Sequence, residues 1–369
     1  MATLSRTSSR CSNNALGSGS QVPLAHANSR RKDMAGKVRV GFIGSGGMAV
    51  AHTGAMESIR DAQIAAFCDV VPERAQALGE KYDAPVFADA GKMMDEVALD
   101  CVYVLLPPFS HGAAEKAAID RKIPFFVEKP INVNLKQANQ IAEAVAGANL
   151  MTCAGYMNRY RKGVNAAKKL LAKDPAVLVI GGWIGGSPNP NPEVPITMWW
   201  VQKDKSGGQF LEQVTHTVDL VRYLCGDAVQ VSAAAATGFN PPVPGCDIDD
   251  ATAVTVKFAS GAVANLYSCC ASNAKGGVDL RVFANQCAFT MDGWGHDTVI
   301  HRRGKEDETI AGEGNIFEIE DRAFLKAVRT GDPKGIKSSY EDAVKTLEIS
   351  VAANKSTATG RTIKLASAA

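Results

Sequence analysis

The sequence predicts two folded parts, an α/β domain on a parallel sheet and an α+β domain on a large, open, mostly antiparallel sheet. Three observations predict this. Apolar runs of strand length alternate with helical stretches over residues 37–156. A glycine-rich turn follows the first of those runs. Beyond residue 158, strand-like runs follow one another with few helices between them. Strands apolar throughout belong in a parallel sheet covered on both faces, whereas consecutive strands joined by short turns pair antiparallel.

In chain order, residues 38–43 read as a buried strand and residues 48–59 as the helix after it. A second strand covers 63–69, and Pro72 sits in the first turn of a second helix, where its missing N–H costs nothing. Strands at 100–106, 123–127 and 150–156 alternate with helices at 111–121 and 135–146. In the second part, strands are expected at 177–183, 229–237, 251–258, 262–270, 278–283 and 298–301. Tight turns such as Ala259-Ser260-Gly261 join some of them. One helix over 208–224 and two more near 317–329 and 341–353 complete the reading.

The chain has 369 residues, enough for two domains of roughly 150 residues and a tail. Residues 1–36 form the expected tail, 37–156 the first domain and 157–369 the second. Residues 1–32 are rich in Ser and Arg, lack Asp and Glu, and show no apolar period, so disorder is expected there. The segment reads either as an organelle transit peptide or as an upstream extension with Met34 as the natural start. The expected location is therefore cytoplasmic, with organelle import through residues 1–33 as the alternative. Ser29-Arg30-Arg31 looks like an export signal, but no apolar stretch follows it.

A net charge of +2 argues against nucleic acid as a partner, because neutralising phosphates needs clustered Lys and Arg. No uncharged apolar stretch of about 18 residues is present, so no membrane partner is expected. The 9 cysteines are odd in number and no pair has C-x-x-C spacing, which reads as a reduced protein without a metal site.

Three motifs carry chemistry. In Gly44-Ser45-Gly46-Gly47-Met48-Ala49, the pattern Gly44-x-Gly46-x-x-Ala49 fits the dinucleotide fingerprint of a Rossmann fold. Gly44 allows the tight turn, Gly46 lets the backbone approach a pyrophosphate, and Ala49 lets the helix sit close to the strand. Asp69 ends the second strand, where a carboxylate accepts from ribose hydroxyls and repels a 2′-phosphate. The expected cofactor is NAD, with NADP as the alternative. Glu128-Lys129-Pro130 follows a strand at its carboxyl end, on the side of the ligand crevice. Finally, helical spacing across residues 208–224 puts Glu212, His216 and Asp219 on one face, acid, imidazole and acid. A carboxylate beside the histidine would orient it as a general base, or the histidine is structural.

Together these motifs resemble the Gfo/Idh/MocA family, named for glucose–fructose oxidoreductase, inositol dehydrogenase and rhizopine catabolism proteins. The resemblance spans residues 37–365. It also rests on Leu106-Pro107 with His111, Gly155-Tyr156 with Arg159, Gly207-Gly208, residues 346–349 and Gly360-Arg361. It implies an oxidoreductase that moves a hydride between nicotinamide and a secondary alcohol or ketone of a sugar, cyclitol or related molecule. Lys129 and His216 would be the catalytic pair, with Glu212 beside them, and the Lys129–Pro130 bond would be cis. The glycine loop, Asp69, Pro107, His111, Glu128 and Lys129 would contact the cofactor. Tyr156, Asn158, Arg159, Trp199 and Trp200 would join Lys129 and His216 around a carbohydrate or polyol substrate. The second sheet would support the pocket and a homo-oligomer interface.

Two departures stand out. Glu212 occupies a position where the family commonly has Asp, and Pro108-Phe109 stands where Asn often follows the proline. The proline-rich segment 187–206, with Trp199 and Trp200, reads either as a cover for the pocket or as a loop with a hydrophobic anchor. Two other functions share the scaffold: a redox-neutral NAD-dependent glycosidase, and a non-catalytic cofactor-sensing regulator. Retention of both Lys129 and His216 argues against the regulator, which needs neither.

Overall fold

The structure, a computed structural model, describes residues 36–365. The expectations for residues 1–33 lie outside the described residues. The first sheet holds β1 (Val38–Ile43), β2 (Ala62–Cys68), β3 (Val86–Phe87), β4 (Cys101–Val104), β5 (Phe125–Val127) and β6 (Thr152–Ala154). Its order is β3-β2-β1-β4-β5-β6, and every pair is parallel. The strand order reverses between β1 and β4, which opens a crevice at their carboxyl ends. Helices α1 (Gly47–Met56), α2 (Pro72–Tyr82), α3 (Ala90–Glu96), α4 (Ala113–Asp120) and α5 (Leu135–Ala148) connect the strands. Local chemistry sets their ends. Asn134 caps α5 by accepting from the Gln137 N–H, and Asn149 closes it in the left-handed conformation.

The second sheet has nine strands. They are β7 (Leu178–Ile184), β8 (Ala228–Ala236), β9 (Ala251–Phe258), β10 (Val263–Cys269), β11 (Gly277–Phe283), β12 (Cys287–Asp292), β13 (Asp297–Arg302), β14 (Glu308–Ile310) and β15 (Ile363–Lys364). Their order is β14-β13-β12-β11-β7-β10-β9-β8-β15. All neighbours are antiparallel except β7 and β10. Burial alternates residue by residue along β9, so one face is covered and the other open. Helices α6 (Lys162–Leu171) and α10 (Thr215–Cys225) cover the inner face, with short α7 (Pro195–Trp200), α8 (Lys203–Ser206) and α9 (Gln209–Glu212) between β7 and α10. Val164, Phe210, Val218, Val254, Leu266 and Ile349 meet there in one core. Each such side chain contributes about 1.5–3 kcal/mol through burial.

The last long helices, α11 (Ile316–Thr330) and α12 (Tyr340–Thr359), tie the two sheets into one unit. α11 packs on α1, and α12 packs on both α5 and β8. Tyr340, Ala343 and Leu347 of α12 are buried among first-sheet residues, whereas Ile349 and Ala353 lie in the second core. Among the described residues no helix is long and apolar enough to cross a membrane.

One expected element differs in a way that matters for the site. The helix expected over 208–224 is two helices, α9 and α10, with a slip between them. The Val214 N–H bonds the Gln209 carbonyl five residues back, which inserts a π-type step and rotates α10 relative to α9. Glu212 and His216 therefore do not share the straight helical face that their spacing suggests.

Candidate active site

The crevice begins at the glycine loop. Gly44 has φ +94°, and a Cβ there would run into the Leu105 carbonyl, so only glycine fits. Gly46 and Gly47 have open space where a Cβ would point, and no side chain caps the N-terminus of α1. Uncapped N–H groups facing open space suit a pyrophosphate. Ala49 is fully buried, and its small side chain lets α1 lie close to the sheet. Met48 is half-buried beside the loop. The Ser45 Oγ is buried with no partner among the described residues. Asp69 is held at the end of β2 by two backbone donors, Ser45 N to Oδ2 at 2.7 Å and Val71 N to Oδ1 at 2.8 Å. A carboxylate so fixed keeps lone pairs for ribose hydroxyls. The cradle fits a dinucleotide.

Pro107 precedes a 3₁₀ turn over Pro108–Ser110, after β4. His111 follows it but has both ring nitrogens engaged, with Glu115 Oε1 at 2.5 Å and the Leu106 carbonyl at 3.1 Å. These bonds hold the turn against α4.

Glu128 leaves β5 pointing inward. Its Oε1 meets His52 Nε2 at 3.1 Å, and its Oε2 accepts the Lys129 N–H at 3.0 Å. His52 Nδ1 lies 2.9 Å from Asp321, which also accepts from the Tyr103 hydroxyl at 3.1 Å. All of these side chains are buried. Burial opposes a charge on His52, but Asp321 and then Glu128 outweigh it and push the imidazole up to about 10. Glu128 is thus fixed by the imidazolium behind it and by the Lys129 N–H in front. Neither His52 nor Asp321 carries a local sequence signal. They stand 269 residues apart and only the docking of α11 on α1 joins them.

Lys129 extends the other way, and its bond to Pro130 is cis. Its Nζ contacts Glu212 Oε1 at 3.3 Å, with both side chains nearly buried. The acid-imidazole-acid face expected from the helical spacing does not form. Glu212 pairs with Lys129, and Asp219 pairs with Arg159 through two bonds of 2.7 and 2.6 Å. Arg159 also meets Asp342 at 2.6 Å, so its guanidinium ties α10 to α12. The Tyr156 hydroxyl is likewise taken, by Thr215 at 3.0 Å.

His216 is left without either acid. Its Nδ1 has no hydrogen-bond partner among the described residues, and its ring stands edge-on to Trp294 at 5.4 Å and Tyr156 at 6.3 Å. Burial, then the charge of Lys129 and that of Arg161, push its pKa well below the ordinary range. The result is a neutral imidazole near an ammonium. Trp199 reaches the 3₁₀ turn after β4, edge-on to Phe109 at 5.9 Å. Trp200 is half-buried with its Nε1 unpartnered among the described residues. Asn158 is buried, its Oδ1 accepting from Arg161 at 2.6 Å. Trp294, His296 and Arg161 are not expected from the sequence; a histidine and a tryptophan in a hairpin turn are its only trace.

Known proteins share the fold and its sequence patterns. Residues 38–156 match the family model described as an oxidoreductase family with an NAD-binding Rossmann fold. Residues 184–289 match the model described as the GFO/IDH/MocA C-terminal domain. A myo-inositol 2-dehydrogenase of Thermotoga maritima is 25% identical over 343 residues, covering 89% of this chain and 98% of that one. The fold matches a levoglucosan dehydrogenase solved with NADH and levoglucosan, with TM-score 0.79, 20% identity, and 89% and 100% of the two chains covered. It also matches the WlbA dehydrogenase of Bordetella pertussis solved with NADH and UDP-GlcNAcA, with TM-score 0.77, 17% identity, and 90% and 99% covered. Two models of one family account for more than half of the sequence, and the chain belongs to the Gfo/Idh/MocA family of NAD(P)-dependent oxidoreductases.

Proposed function

We propose that the protein is a dehydrogenase or reductase acting on a secondary alcohol, or the matching ketone, of a cyclitol or sugar. The observation that carries this is the buried, neutral His216 beside a lysine that Glu212 holds in place. A neutral imidazole can take the hydroxyl proton. The Lys129 ammonium can donate to the oxygen as it gains negative charge, and in a dry site such a donor is worth far more than in water. Glu212 limits where that ammonium swings. Bound nicotinamide supplies or accepts the hydride. The Thermotoga relative and the levoglucosan dehydrogenase, by their names, act on ring polyols, which supports the substrate class.

The test follows nicotinamide absorbance with a panel of inositols, sugars and sugar acids, with NAD and NADP in parallel. Turnover with a ring polyol and a preference for NAD are expected. Asp69→Ser is expected to narrow the preference at least tenfold, since the carboxylate that repels a 2′-phosphate is gone. Silence across the panel with NADH bound, together with cleavage of an aryl glycoside, would support the redox-neutral glycosidase instead.

The open face of the second sheet supports a homo-oligomer. Phe283 is 40% exposed there, on the same face as Thr255, Asn265 and Arg281. Light scattering is expected to give a mass above one chain, and Phe283→Asp to lower it. A wild-type monomer at micromolar concentration would refute this.

A further inference from the structure

Beside His216 lies a set of buried polar groups that hydride transfer does not use. It centres on the Trp294 carbonyl, in the turn between β12 and β13. Arg161 is 2% exposed, and it spends its guanidinium on protein oxygens. Its Nε donates to Asn158 Oδ1 at 2.6 Å, Nη1 to the Glu313 carbonyl at 3.1 Å, and Nη2 to the Trp294 carbonyl at 3.0 Å. The bond to Oδ1 settles which way the Asn158 amide faces, so its NH₂ points away from Arg161. That Nδ2 is buried and has no partner among the described residues.

His296 joins the same carbonyl. It sits at φ +53°, and its backbone carbonyl accepts from Thr298 Oγ1 at 2.9 Å. Its Nδ1 lies 3.2 Å from the Trp294 oxygen, and an oxygen acceptor there requires the proton on Nδ1. The other nitrogen, Nε2, is then a bare lone pair, buried and again without a partner among the described residues. Burial holds this imidazole near 4, so it is uncharged at neutral pH. Asn158 and His296 are each 2% exposed. Trp294 packs its ring on His216, and Arg161 is near enough for its charge to be felt there. A buried donor and a buried acceptor, each left open, are costly unless something completes them.

We propose that Asn158 and His296 form a hydroxyl-reading edge of the substrate pocket, Asn158 donating through Nδ2 and His296 accepting at Nε2. Arg161 is the positioning residue that aims both. The pair takes hydroxyls, which give and accept, and rejects a carboxylate, which has no hydrogen for Nε2. At this edge a hydroxyl is therefore preferred to a carboxylate. This deepens the proposed function and rests on its reading of Lys129 and His216.

The experiment uses the full chain loaded with NADH. Binding of myo-inositol, of its monodeoxy analogues and of a hexuronate is measured by calorimetry, alongside KM and kcat. In Asn158→Leu and His296→Phe, polyol affinity is expected to fall tenfold or more, with KM moving more than kcat and NADH affinity within twofold. One monodeoxy analogue should lose about tenfold in the wild type and nothing further in the variant lacking its partner. His296→Asn, whose amide oxygen can accept, should recover part of the loss and covers the case in which the phenylalanine variant fails to fold. Wild-type polyol affinity in both truncated variants, or hexuronate affinity that falls no less than tenfold while polyol affinity holds, overturns the assignment and leaves the dehydrogenase reading standing. A wild-type protein that neither binds nor turns over any polyol overturns both.

Discussion

His216→Gln is expected to lower kcat by roughly 10²–10⁴, the range for losing a positioned general base, with NADH affinity unchanged. The residue sits on α10 and touches neither the glycine loop nor Asp69, so cofactor binding survives its loss. Lys129→Met should fall in the same range and also raise KM, because in the proposed role its ammonium meets the reacting oxygen before and after proton transfer. The environment of His216 adds a pH signature. A base works when unprotonated, and burial together with Lys129 pushes this imidazole well below its usual range. The rate should therefore stay flat as pH falls from 8 through 6.5, where an ordinary histidine would already be gaining its proton. Stopped-flow rates across that range check this. Full activity in either variant, or a wild-type rate that halves near pH 6.5, refutes the assignment.

His52→Leu is expected to destabilise the protein by about 3–5 kcal/mol, the cost of leaving one member of a buried ion pair uncompensated. The substitution leaves Asp321 and Glu128 buried without the imidazolium between them. Removing both ends of the main pair, as in His52→Leu with Asp321→Leu, should recover part of the loss, since apolar replacement of a whole buried pair is often neutral. The pH dependence follows from the sign of the shift. The His52 pKa is raised from 6.5 to about 10 in the fold, so its stabilisation is complete below about 6.5 and is lost as pH rises through about 10. Denaturant melts of wild type and variants at pH 6, 8 and 10 measure both effects. A loss below about 1 kcal/mol at pH 6 would show that the cluster carries no net stability.

Much of the architecture is readable from the sequence because it is written in short-range terms. The strands of the first sheet are apolar throughout, and the glycine loop carries its spacing with it. Asp69 can be placed because the end of a strand and the start of a helix are both local signals. Other elements escape for equally physical reasons. β3 and β15 are two residues each, too short for any period to show. α6 has its buried Val164, Ala167 and Leu171 at helical spacing, but among lysines and next to a change of rhythm. The slip between α9 and α10 has no Gly or Pro to announce it.

The sequence by itself determined the α/β order, the dinucleotide loop, the acid at the end of the second strand and the family. The loop and the acid follow from residue type and spacing within some thirty positions, and the family from several such motifs spread along the chain. Only the tertiary structure decided which charges meet. Glu212, Asp219, Glu128 and Arg159 read as one set of candidates, and each found a different partner: Lys129, Arg159, His52 and Asp342. A carboxylate pairs with whichever cation the packing brings within a few ångströms, and buried groups far apart in sequence compete for it. That competition left His216 with no acid and a neutral ring. Its environment therefore comes from the docking of helices on two sheets rather than from its own neighbours in the chain.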